Sequence, residues 1–126
     1  MKRLLFLLML LPPFIVRSQV KYEIVNKELD TKGYVNHLDV YVAKMADIKD
    51  VNKALVARFK RSGVMSLQIL YYDSKQVAKS YSKKLFDKSV SEDEITTMGK
   101  HVTGKFEYLS INNTQSLHVG READMY

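Results

Sequence analysis

Residues 66–72 read Ser-Leu-Gln-Ile-Leu-Tyr-Tyr, which puts Leu67, Ile69 and Tyr71 on one face of an extended chain and Leu70 and Tyr72 on the other. Strand side chains point alternately to opposite faces, and a strand apolar on both is the kind found in the middle of a sheet. Everything else in the chain has to be arranged around that strand.

Before it, Val20, Tyr22 and Ile24 alternate with Lys21 and Glu23. Asp30-Thr31-Lys32-Gly33 has turn chemistry, and Tyr34–Val42 alternates again, with Asn36, Leu38, Val40 and Val42 on one face and His37, Asp39 and Tyr41 on the other. The two runs predict a hairpin. Asp47 is placed as an N-cap ahead of Ile48, Val51, Leu55 and Phe59, which draw one apolar stripe along a helix that Gly63 would stop. Strand, helix and strand in that order predict a right-handed parallel crossover between Tyr34–Val42 and Ser66–Tyr72.

After it, Asp73 or Ser74 can cap a second helix carrying Val77, Ala78, Tyr81 and Leu85, with Lys75, Lys79, Lys83, Lys84 and Lys88 making a basic polar face. A strand through Val77, Lys79 and Tyr81 is the competing assignment. Ser91-Glu92-Asp93-Glu94 has the form of a capping box and opens a third helix or extends the second after a break. Gly99 and Gly104 are expected to bracket a loop, followed by a strand at Lys105–Ile111, a turn at Asn112-Asn113-Thr114 and a closing strand at Gln115–Val119. The order ββαβα(α)ββ predicts an α+β domain, a two-layer sandwich in which a mostly antiparallel sheet of about five strands carries two or three helices on one face. One core is expected from Leu38, Val40, Ile48, Val51, Leu55, Phe59, Leu67, Ile69, Val77, Tyr81 and Phe106.

The first residues follow a different logic. Met1-Lys2-Arg3, the apolar run Leu4–Val16 and Arg17-Ser18-Gln19 match a secretory signal peptide. A spanning helix needs about 20 apolar residues, and Pro12-Pro13 interrupts this shorter run. The division expected is a signal peptide at 1–18, one domain at 19–120 and a frayed tail at 121–126. No membrane span would remain after cleavage, and the protein would be exported, periplasmic or secreted. Lys2, Arg3 and Arg17 would leave with the signal, halving the formal charge of +6. The remainder gives little support to nucleic-acid binding. With no cysteine in the chain, a disulfide framework, an Fe–S cluster and a thiolate zinc site are excluded. Neither GxGxxG nor GxxxxGK[ST] occurs.

With this layout, Tyr22-Glu23-Ile24-Val25, the Leu-Gln-Ile-Leu-Tyr-Tyr-Asp stretch at 67–73, Val77-Ala78-Lys79 and Lys105-Phe106-Glu107-Tyr108 resemble small exported bacterial domains of unknown function. The resemblance implies a cell-envelope setting of the Bacteroidetes type and carries no catalytic residues over.

The row His37-x-Asp39-x-Tyr41 is the most chemical feature, since its side chains share a face. It could contribute metal ligands with His101 or His118, although no HExxH or histidine cluster supports a metal site, and no cofactor is expected. The serines lie in no G-x-S-x-G, and Glu92, Asp93 and Glu94 suit a helix N-terminus. His37, Asp39 and Tyr41 with Gln68, Leu70 and Tyr72 on the neighbouring strand form the candidate binding face, on the assumption that helices cover the opposite one. Lys75, Lys79, Lys83, Lys84 and Lys88 form a candidate basic surface. The reading that follows is a non-catalytic binding or interaction module of the envelope, with an unknown protein or envelope component as partner. A small periplasmic or secreted hydrolase is the alternative.

Overall fold

The computed structural model describes residues 21–120, so the expected signal peptide and tail lie outside the described residues. The order is β1 (Glu23–Leu29), β2 (Val35–Tyr41), a short 3-10 turn (Met45–Asp47), α1 (Ile48–Phe59), β3 (Ser66–Tyr72), α2 (Lys75–Lys84), α3 (Glu92–Gly99), β4 (Val102–Leu109) and β5 (Thr114–Val119). The strands form one mixed sheet in the order β1-β2-β3-β4-β5. β2 and β3 run parallel, joined by α1, and the other neighbours pair antiparallel. β3 is the middle strand, where its two apolar faces can both be covered.

Those two faces overturn the expectation of helices on one side and of a single core. α1 lays Ile48, Val51 and Leu55 on Leu38, Val40, Leu67, Ile69, Tyr71 and Phe106, with Phe59 at the edge of this cluster. Across the sheet, Ala78 and Tyr81 of α2 and Met98 of α3 pack with Tyr72 and Val102, and Val77 joins from α2. The architecture is therefore three layers, one helix on one face and two on the other. Leu70 and Tyr72 favour this arrangement, since covering their apolar surface gains about 25 cal/mol per Å² removed from water.

Local chemistry sets the element ends. Asp30 Oδ1 accepts from the N–H groups of Lys32 and Tyr34 at 2.8 and 2.9 Å and shapes the β1–β2 turn, where Gly33 takes φ 88°. Asp47 makes no side-chain cap, because the 3-10 turn leads directly into α1. Ser74 caps α2 through the Val77 N–H at 3.3 Å, and Ser91 caps a separate α3 through the Glu94 N–H at 3.2 Å. α2 ends at Lys84, where Asp87 Oδ1 takes the Ser89 N–H and hydroxyl at 2.9 and 2.6 Å and turns the chain. Lys88 consequently lies in a turn, off the helical face assigned to it from sequence.

Gly104, expected in a loop, sits inside β4. A Cβ there would stand 3.2 Å from Ile48 and Tyr71 side-chain atoms, so the missing side chain lets α1 approach the sheet.

Candidate functional site

On the face covered by α2 and α3, the register sets His37 beside Gln68, Asp39 beside Leu70 and Tyr41 beside Tyr72. The candidate binding face is thus one contiguous surface of the sheet, but α2 lies over much of it. Asp39 is 1% exposed and Tyr72 is fully buried.

Asp39 is the centre of a closed network. Its Oδ1 accepts from the Tyr72 hydroxyl at 2.7 Å and from His37 Nε2 at 3.0 Å. Ser82 Oγ, from α2, donates to both carboxylate oxygens at 3.2 and 3.1 Å. Asn26 Nδ2 reaches Asp39 Oδ2 at 3.2 Å and also donates to the Ala78 and Lys79 carbonyls of α2 at 2.9 and 3.3 Å. Asn26 can do this because the β1–β2 register shifts between Ile24 and Asn26. The bulge lets Val25 pack on the second cluster while Asn26 pairs with Asp39.

His37 Nδ1 lies 2.9 Å from Gln68 Oε1. Both ring nitrogens therefore face acceptors, which suits the doubly protonated imidazolium. Burial by itself would lower the His37 pKa, but the hydrogen bond to Asp39, its charge, the bond to Gln68 and the charge of Glu28 together hold it above the ordinary 6.5. For Asp39, burial acts upward and is outweighed by hydrogen bonds from His37 and Tyr72, the His37 charge and Asn26, which keep the carboxyl below 3.8. Burial and the Asp39 carboxylate push the Tyr72 phenol far up, so it remains a donor.

Ser82, His37 and Asp39 are the residue types of a hydrolytic triad in a different arrangement. In a working triad the imidazole stands between carboxylate and hydroxyl and receives the hydroxyl proton. Here the carboxylate is in the middle, the hydroxyl donates to it, and His37 Nε2 is 3.5 Å from Ser82 Oγ while it bonds Asp39. Both ring nitrogens are already engaged, Nε2 with Asp39 and Nδ1 with Gln68.

Next to the network opens a cleft of about 820 Å³, within the range of small-molecule sites. Its lining brings His37, Gln68 and Ser82 together with Leu70, Leu85 and Phe86. Phe86 is 89% exposed and Leu85 43%, which leaves apolar surface at the rim. Lys83, Lys105 and Glu28 also line it. Compared with protein-family models, curated proteins and solved structures, the chain has no significant match.

Of the residues singled out from sequence, His37, Gln68 and Leu70 line the cleft, Asp39 and Tyr72 lie buried behind it, and Tyr41 takes no part in the lining. The lysines of the candidate basic surface differ in their surroundings. Lys75 pairs with Glu23 at 2.9 Å, Lys84 pairs with Glu94 at 2.9 Å, and only Lys83 of the five lines the cleft. His101 bonds Asp73 at 2.8 Å, and among the described residues no group of three His, Asp or Glu could hold a metal ion. Nor is any helix among them long and apolar enough to cross a membrane. Asn26, Ser82 and Phe86 belong to no motif of the sequence. The spacing of Ser82 four residues after Ala78, on the buried side of α2, was the available signal.

Proposed function

We propose that the protein is an exported, non-catalytic binding module of the bacterial cell envelope that seats its partner in the cleft beside His37. The observation that carries the reading is the closed network: Ser82, His37 and Asp39 are each committed to a neighbour, while the adjoining cleft offers Gln68, Lys83 and the apolar Leu70, Leu85 and Phe86 for contact. Exposed aromatic and aliphatic groups at the mouth of a polar-floored cleft suit recognition. The signal-like residues 1–18 support the envelope setting.

The test is a pull-down from envelope extracts with the parent and with a Phe86→Ser, Leu70→Ser double variant. The expected result is a retained component that the variant loses while its thermal melt shows a folded domain. A component retained equally by both would overturn the assignment of the cleft. The hydrolase alternative rests on the meeting of Ser82 with His37 and Asp39, and ester or amide hydrolysis abolished by Ser82→Ala would establish it instead. Mass spectrometry of the exported chain tests the setting, with an N-terminus at Gln19 expected and an intact Met1 in a membrane fraction contradicting it.

A further inference from the structure

The two edges of the sheet are built differently. Along β1 the register breaks between Ile24 and Asn26 and again between Glu28 and Leu29, and the strand carries Glu23, Lys27 and Glu28. Bulges and charges of this kind obstruct the addition of another strand. β5 pairs with β4 residue for residue from Thr114 to Val119 without a break, and its sequence Thr-Gln-Ser-Leu-His-Val contains no Lys, Arg, Asp or Glu. Beside it, at the hairpin tip, Ile111 is 92% exposed.

The backbone of β5 also has a definite polarity. The Gly120 N–H donates to the Thr103 carbonyl at 2.9 Å. Hydrogen-bonded and non-bonded pairs alternate along an antiparallel ladder. Thr114, Ser116 and His118 therefore turn their backbone groups toward β4, and Gln115, Leu117 and Val119 turn theirs outward. Among the described residues β5 is the last strand of the sheet, so no described strand takes them.

We infer that β5 pairs with β5 of a second copy of this chain, antiparallel about a twofold axis through Leu117, which joins the two sheets into one. In that register Leu117 faces its own equivalent and Gln115 faces Val119 of the second copy, so every outward N–H and C=O of the strand gains a partner. Moving the axis to Ser116 or His118 leaves Val119 or Gln115 opposite a residue outside the strand. The pairing is self-complementary, as a twofold interface has to be. Leu117 and Val119 already pack against the first core, so the contact at the axis extends apolar surface from both copies. On the opposite face Ser116 stands across from His118 of the second copy as a non-bonded pair, the geometry that brings side chains closest.

That neighbour relation supplies the test. Protein purified after expression of the full chain is sedimented over a concentration series, and the parent is expected to form dimers. Ser116→Lys with His118→Lys sets like charges against each other across the axis and is expected to weaken the dimer about tenfold or more. Ser116→Lys with His118→Glu sets opposite charges there and is expected to keep it. Within one chain Ser116 pairs with Glu107 and His118 with Lys105, so the second variant is also matched to its own sheet. A parent that stays monomeric, a dimer indifferent to the first variant, or equal loss in both would each overturn the pairing. Hydrogen exchange on the parent gives an answer free of any folding defect. The Gln115, Leu117 and Val119 amides are expected to exchange slowly in concentrated protein and fast on dilution, and exchange independent of concentration would refute the proposal.

Discussion

Replacing Asp39 with Ala tests whether the network beside the cleft also holds α2 on the sheet. The carboxylate is 1% exposed and accepts from Tyr72, His37, Ser82 and Asn26. On its removal Ser82 can turn to the cleft, but His37 loses the carboxylate that holds its charge and the Tyr72 hydroxyl is fully buried and left without its acceptor. A stranded buried donor costs about 1–3 kcal/mol, and breaking a buried ion pair from one side costs about 3–5 kcal/mol. Both describe the loss of one carboxylate and are not added, so the expected loss is about 3–5 kcal/mol in urea unfolding at pH 6. Asp39→Asn keeps the volume and one acceptor and is expected to lose about 2 kcal/mol. The effect has a pH signature. His37 is held above 6.5, so its contribution is fully present below pH 6.5 and disappears as pH rises through the folded value. Asp39 is held below 3.8, so its contribution is present above 3.8 and disappears as pH falls through its lower folded value. The gap between parent and Asp39→Asn is therefore expected to be widest between pH 3.8 and 6.5 and to narrow above that range. A loss below about 1 kcal/mol for Asp39→Ala, or a gap that widens on the alkaline side, would refute the reasoning.

Leu55 of α1 is fully buried against the sheet, and Leu55→Ala is expected to cost about 2–5 kcal/mol in the same assay. Gly104→Ala forces a methyl group to within 3.2 Å of Ile48 and Tyr71, and a loss of about 1–3 kcal/mol is expected, measured as a lower melting temperature. Tyr71→Phe removes the 2.7 Å bond to the buried Asn52 of α1, with an expected loss of about 1–3 kcal/mol by urea unfolding; an unchanged midpoint would mean that Asn52 is satisfied elsewhere.

Much of the scaffold is legible in the residues themselves. The alternation through Leu38 and Val40, the stripe of Ile48, Val51 and Leu55, and the caps Ser74 and Ser91 are local signals, and each marks an element of the structure. The burial of β3 on two faces is written in Leu70 and Tyr72, which sit opposite Leu67, Ile69 and Tyr71. The one-sided arrangement expected from sequence conflicted with that pattern, and the structure resolves the conflict in favour of the pattern.

Which helix covers which face was settled only by the folded chain. Periodicity says that Val77, Ala78 and Tyr81 share an apolar side but not where that side points. The direction follows from how the turn after β3 launches α2 and from what the sheet presents there. The network has the same origin. Asn26, Asp39 and Ser82 are far apart in sequence, and they meet because a bulge turns Asn26 inward and α2 docks with Ser82 above the strand. A carboxylate in a strand reads as a polar residue for the solvent side. It becomes the centre of a buried network only because tertiary packing supplies the donors that make its burial affordable, and a buried charge is tolerated only with such partners.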